Sequence, residues 1–212
     1  MHLVWDWNGT LFDDADAVYR ASAELFAARG LPEITPRQYR AAYCRPISGF
    51  YARLFGRALA PAELAALDEQ FHAAYQRIVG QLGLAAGARS ALAGWRARGG
   101  DQSLLSMYRH ERLLALVRRF ALEGEFTRVA GLLGAADGRK AEHLARHMAA
   151  LRLDPVDVAL IGDGLDDAAA AAHVGARCVL YNGGAHEHDA LVATGLPVAD
   201  DLAEAVELAA SR

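Results

Sequence analysis

Short apolar runs alternate with amphipathic stretches along most of the chain. Leu3-Val4-Trp5 is apolar and leads directly into Asp6. Gln102 to Leu105, Phe126 to Ala130, Val156 to Ile161 and Ala176 to Tyr181 are also apolar, of strand length and bounded by turn residues. Such segments predict buried parallel strands. Between them, Ala88 to Arg98, Glu111 to Phe120, Lys140 to Leu151, Ala168 to His173 and Leu202 to Ala210 have apolar residues at helical spacing, with Gly99-Gly100 and Gly175 as stops. The alternation predicts an α/β fold, a doubly wound parallel sheet with helices on both faces.

Residues 14–80 break this rhythm. Asp16 to Arg29 reads as a helix stopped by Gly30 and Pro32, and Thr35-Pro36 as an N-cap with proline at the first helical position. Pro61 to Val79 is a long helical stretch, and no strand is evident from Asp13 to Gly87. The expected organisation is an α/β core of residues 1–13 and 81–212, with a helical insertion of residues 14–80 after the first strand.

The 212 residues are 53% hydrophobic, enough for a sizeable core, and carry a net charge of -4. That charge offers no basic field for nucleic acid. No segment approaches the ~20 apolar residues needed to span a membrane. Met1-His2-Leu3 runs into the first strand without a basic leader, so no signal peptide is expected. Cys44 and Cys178 lack metal-ligand spacing and read as free thiols in a reducing cytoplasm. The expected state is a cytoplasmic monomer or homodimer.

Four strand-end positions carry candidate chemistry. Asp6 follows the first strand, Ser106 ends the second, Lys140 opens a helix in Gly138-Arg139-Lys140, and Asp163 and Asp167 follow the strand ending at Ile161. In a parallel sheet these ends converge on one edge. Phosphoryl transfer needs such a set. A carboxylate attacks phosphorus, Mg²⁺ held by carboxylates masks like charges, and a hydroxyl and an ammonium hold the non-bridging oxygens. Backbone N–H groups at Gly9 and Thr10, on a tight turn, add donors. Taken singly, each signal has a bland alternative: a turn at Asn8-Gly9, a helix cap at Asp163, a solvated Lys140.

Asp6-Trp7-Asn8-Gly9-Thr10-Leu11-Phe12-Asp13, with Ser106, Lys140 and Gly162-Asp163-Gly164-Leu165-Asp166-Asp167, resembles the four motifs of the haloacid dehalogenase superfamily over essentially the whole chain. The insertion resembles the helical cap of its phosphoglycolate phosphatase-like and β-phosphoglucomutase-like members. The resemblance implies a Mg²⁺-dependent phosphatase of a small phosphorylated metabolite. Asp6 is then the nucleophile, and the metal ligands are Asp6, the main-chain carbonyl of Asn8, and Asp163. Asp167 holds metal-bound water or orients Lys140, and Ser106 and Lys140 bind the phosphoryl group.

Two departures qualify this. Family phosphatases carry aspartate at the position of Asn8, where it protonates the leaving group; an amide cannot, at a typical cost of ~10²–10⁴-fold. Met107 stands after Ser106 where asparagine is common. The alternatives are a substrate with a good leaving group such as an acyl phosphate, a substitute acid (Tyr108, His110 or a residue of the helical insertion), deamidation of Asn8, or a phospholigand-binding protein without turnover. Metal-independent dehalogenation is a weaker alternative. Arg45-Pro46-Ile47-Ser48-Gly49-Phe50-Tyr51 is the expected specificity loop, with Arg45 facing a substrate carboxylate or second phosphate. His186 and His188 read as surface residues, and Trp5 and Trp7 as packing residues.

Overall fold

The computed structural model describes residues 1–133 and 139–211. The first strand, β1 (His2–Trp5), is followed by α1 (Ala15–Ala27), α2 (Pro36–Ala42), α3 (Ile47–Phe55), α4 (Pro61–Val79) and α5 (Ala88–Ala97). Then come β2 (Asp101–Arg109), α6 (His110–Arg119), β3 (Val129–Leu132), α7 (Lys140–Leu151), β4 (Val158–Gly162), α8 (Leu165–Val174), β5 (Arg177–Tyr181), α9 (His188–Val192), β6 (Val198–Ala199) and α10 (Leu202–Ala210). All strand pairs are parallel, in the order β3-β2-β1-β4-β5-β6. The order reverses direction between β1 and β4, and a crevice opens at the C-terminal strand ends there.

Strand alternation divides the core into two layers. Leu3 and Trp5 pack with Leu104, Ile161 and α5 and α10 on one face. Val4 packs with Leu105, Leu160 and α7 and α8 on the other. Trp7, fully buried, stacks on Phe12 at 5.4 Å in the first layer, so Trp5 and Trp7 are both packing residues. A third cluster, of Leu25, Phe26, Tyr39, Phe50, Tyr51 and Leu67, lies within α1 to α4. Thr35 and Gln38 form a reciprocal capping box that starts α2 after the Gly30–Pro32 break. Among the described residues no helix is long and apolar enough to cross a membrane. Both cysteines are free thiols.

Several boundaries differ from the sequence expectation. Strand β2 runs on to Arg109, because Met107 to Arg109 stay extended and rejoin β3 after a register shift, so Ser106 lies inside β2 but beyond its last pairing with β1. The third strand starts at Val129 rather than Phe126, after a helical turn at Glu123–Glu125. Asp154 caps a turn at Pro155–Asp157, which delays β4 to Val158. Ile47 to Phe55 is helical, not the loop expected over 45–51. Helix α9 and the short β6 carry too little periodicity to be anticipated.

A buried polar knot ties β1, β2 and α7 together. The Ser103 hydroxyl lies 2.8 Å from both His2 Nε2 and His147 Nε2. With one proton to give, it donates to one neutral ring and accepts from the other. Burial pushes the His147 pKa down to about 4, against 6.5 for a free imidazole. The unfolded chain therefore takes up this proton near pH 6.5, and the folded chain only near pH 4. Each pH unit lost between those values should cost about 1.4 kcal/mol of stability from this group. Urea denaturation of the wild type and of His147→Gln at pH 7 and pH 5 should show the wild type losing about 2 kcal/mol more than the variant.

Candidate active site

Asp6 leaves β1 with its backbone N–H donating to the Ile161 carbonyl at 2.9 Å, which extends the ladder by one residue to the crevice. The chain then folds back in a tight loop. The Phe12 N–H donates to the Trp7 carbonyl at 2.8 Å, and Gly9 turns with φ +70°. A Cβ on Gly9 would meet Asp163 Oδ2 at 2.5 Å, so only glycine lets this loop lie against the carboxylate. Thr10 Oγ1 donates to Asp163 Oδ1 at 3.2 Å, and the Ala185 N–H donates to Asp163 Oδ2 at 3.0 Å.

Lys140, at the start of α7, is 5% exposed. Its Nζ is 2.7 Å from Asp6 Oδ2 and is also paired with Asp167 Oδ1. Asp167 is oriented in turn by the Gly164 N–H, which donates to its Oδ2 at 3.0 Å. Gly138 lies outside the described residues. Asp6, Asp163 and Asp167 each present an oxygen within 4.8 Å of the others, the one such group among the described residues. Burial raises all three carboxyl pKa values. Lys140 pulls each of them back down, while neighbouring carboxylates raise them further. A single ammonium does not neutralise three buried carboxylates. An oxygen-only, acidic set of this kind suits a hard divalent cation such as Mg²⁺.

Ser106 is buried; its hydroxyl lies 3.4 Å from Asn8 Oδ1 and accepts the Tyr108 N–H at 3.1 Å. Asp6, Asn8, Gly9, Ser106, Met107 and Lys140 all border one cavity of about 160 Å³. Arg45 reaches the same cavity from the connection between α2 and α3, and the Tyr43 phenol and the Asp166 carboxylate beside it keep its guanidinium protonated. Thr10 is fully buried behind the cavity. Of the two substitute acids considered from sequence, Tyr108 borders the cavity. His110 is turned away, its Nδ1 accepting the Gly131 N–H at 3.1 Å.

Two residues were not anticipated. Asp14 is 1% exposed and borders the cavity. Its Oδ1 accepts the Gly9 N–H at 2.8 Å, and its Oδ2 accepts Asn8 Nδ2 and the Tyr75 hydroxyl, both at 2.6 Å. Asp14 directly precedes α1 but makes no side-chain cap bond there. No local signal connects Asp14 with Tyr75, 61 positions away. His186, expected at the surface, is 7% exposed and packs edge-on against Tyr43 at 5.4 Å between ring centres. His188 is exposed.

The model of haloacid dehalogenase-like hydrolases matches residues 1–175 of the chain. No curated protein matches it by sequence. Solved structures share the fold at low identity. A haloacid dehalogenase-like family hydrolase from Streptococcus pneumoniae superposes with TM-score 0.82 at 16% identity, covering 97% of this chain and 96% of that one. A predicted phosphoglycolate phosphatase from Haemophilus somnus gives 0.76 at 15%, covering 97% and 96%. An aspartate-to-asparagine variant of CbbY from Rhodobacter sphaeroides, in complex with xylulose-1,5-bisphosphate, gives 0.73 at 21%, covering 96% and 95%.

Lys140 offers a direct check on the electrostatics. Removing one partner of a buried ion pair typically costs about 3–5 kcal/mol. Lys140→Met should lose stability in that range in chelator, as read by urea denaturation. Added Mg²⁺ should restore more stability to the variant than to the wild type, because it replaces the missing positive charge.

Proposed function

The chain belongs to the haloacid dehalogenase-like hydrolases, and from that membership we propose that it is a phosphatase of a small phosphorylated metabolite acting through Asp6. The observation that carries the reading is the position of Asp6. Its carboxylate stands at the switch of the sheet, with Lys140 Nζ at 2.7 Å and Asp163 and Asp167 beside it. A lysine paired with the attacking carboxylate lowers the repulsion that a phosphate dianion meets.

Asp6, Asp163 and the main-chain carbonyl of Asn8 would hold Mg²⁺, with Asp167 orienting Lys140. Bound there, the ion would supply positive charge to the transferring phosphoryl group. Ser106 Oγ and Lys140 Nζ hold its non-bridging oxygens; the Gly9 and Thr10 N–H groups expected from sequence as further donors are instead taken by Asp14 Oδ1 and the Trp7 carbonyl. One Asp6 oxygen attacks phosphorus while the Trp7 N–H, donating at 2.7 Å, fixes the other. The resulting acyl phosphate is then hydrolysed by water.

Residues 14–80 act in this reading as a cap over the core of residues 1–13 and 81–212. The cap brings Tyr39, Arg45, Phe50 and Tyr75 to the cavity. Two contacts tie it down beside the site: Arg40 Nε pairs with Glu187 Oε1 at 2.7 Å, and Tyr43 packs on His186. Closure excludes bulk water from the charged cluster. Arg45 supplies the cation for an anionic group at the mouth.

Phosphate release with Mg²⁺ over a panel of phosphate monoesters and acyl phosphates tests the reading. Asp6→Asn should lower release by about 10³-fold or more, and chelation should abolish it reversibly. Binding of phosphorylated ligands without turnover anywhere in the panel would instead make this a phospholigand-binding protein.

A further inference from the structure

Asn8 is clamped so that it has no proton for a leaving group. Its Nδ2 donates to Asp14 Oδ2 at 2.6 Å and approaches the Tyr75 hydroxyl at 3.4 Å. Both Asp14 oxygens already accept, from the Gly9 N–H and the Tyr75 hydroxyl, so the end of the amide that faces Asp14 is the nitrogen. The atom left facing Ser106 is Oδ1, an acceptor.

Tyr75 and Tyr108 are poor substitutes. The Tyr75 proton is donated to Asp14 at 2.6 Å. The Tyr108 oxygen accepts Gln76 Nε2 at 2.8 Å, and burial raises its pKa, which makes it a weaker acid. Lys140 is committed to Asp6 and Asp167. A leaving oxygen therefore receives no proton from Asn8, Tyr75 or Lys140, and one that is stable as an anion has least need of it.

The walls beyond the phosphoryl end are aromatic. Tyr39, Tyr43, Phe50, Phe71, Tyr75 and Tyr108 border the cavity. Tyr39 and Phe50 meet edge to face at 5.1 Å, Tyr43 and Phe50 at 5.7 Å, and Phe71 stacks on Tyr75 at 5.9 Å. The whole cavity, phosphoryl end included, is about 160 Å³. Flat rings gain from edge and face contacts with such walls.

We propose that this site takes the phosphate monoester of an aromatic hydroxyl and expels the aryl oxide unprotonated. The inference rests on the phosphatase reading above and assigns its substrate class. A phenolic oxygen has a conjugate acid of pKa about 10, far below that of an alkanol, and so needs far less help to leave. In the step, an Asp6 oxygen lone pair forms the new bond to phosphorus. The phosphorus–aryl oxygen bond breaks, and the electron pair goes with the aryl oxide. Water then attacks the same phosphorus, and the bond to Asp6 breaks and returns its electrons to the carboxylate. Of the two water protons, one stays on inorganic phosphate and the other reaches the aryl oxide through solvent.

The experiment compares phenyl phosphate with cyclohexyl phosphate, similar in size but with an alkyl leaving group, alongside nitro-, chloro- and methoxy-substituted phenyl phosphates. Each is run with Mg²⁺ on the wild type and on Asp6→Asn. The expected result is cyclohexyl phosphate slower in kcat/KM by about a hundredfold or more, within the span of missing acid help, and a steep fall along the aryl series as the leaving phenol becomes more basic. Binding of phenylphosphonate should also be tighter than that of cyclohexylphosphonate by calorimetry. A gap between the two esters smaller than a hundredfold, or equal phosphonate affinities, overturns the inference and leaves the phosphatase reading standing. No Asp6-dependent release from any ester, nitrophenyl phosphate included, removes both.

Discussion

The charge balance around Lys140 is the constraint on which the rest of this molecule depends. Three carboxylates are buried at the end of the sheet, and one ammonium stands among them. Buried charge is tolerated only when paired and hydrogen-bonded. The fold meets that demand with groups from distant parts of the chain. Asp6 comes from β1, Lys140 from the first turn of α7, Asp163 from the end of β4 and Asp167 from the first turn of α8. The backbone contributes the Trp7, Gly164 and Ala185 N–H groups. The parallel sheet with its reversal between β1 and β4 lets these four meet. The glycines at positions 9 and 184 let the surrounding loops lie against Asp163.

The same economy of charge accounts for why the sheet was legible in the sequence and parts of the site were not. Buried parallel strands must be apolar on both faces, so Val158 to Ile161 and Leu3 to Trp5 announce themselves as unbroken runs. Lys140 to Leu151 and Pro61 to Val79 show their helical period over three turns or more, and the structure begins and ends them at those residues. Strand ends follow from strands, which is why Asp6, Ser106, Lys140, Asp163 and Asp167 could be named as a set. Helix α3 was hidden because Pro46 and Gly49 lie at or near its start and signal a loop. His186 was misjudged because its burial comes from Tyr43, a residue 143 positions earlier, and no local pattern reports such a contact. Asp14 was missed because its tie to Tyr75, 61 positions away, exists only in the fold.

Asn8 and Asp14 are best understood as one unit. Were position 8 a carboxylate, it would stand about where Nδ2 now lies, 2.6 Å from Asp14 Oδ2. Two carboxylates that close cannot both be ionised, so one would have to hold a proton or turn away. Tyr75 already gives its proton to the same Asp14 oxygen, and the Gly9 N–H to the other. Burial raises the Asp14 pKa, and the three donors around it, Tyr75, Asn8 and Gly9, pull it back and favour its charged form. An amide at position 8 is the complement to that arrangement, and an acid there would disrupt it. The amide is therefore built into the loop that carries the nucleophile, through contacts with a cap helix residue, Tyr75, and with the residue that precedes α1. On the proposed reading, a site organised this way retains the groups that would bind and receive a phosphoryl group and gives up the one that assists departure. On that reading the demand for a weakly basic leaving group falls on the substrate, and the aromatic wall of Tyr39, Phe50 and their neighbours is what residues 14–80 would offer it.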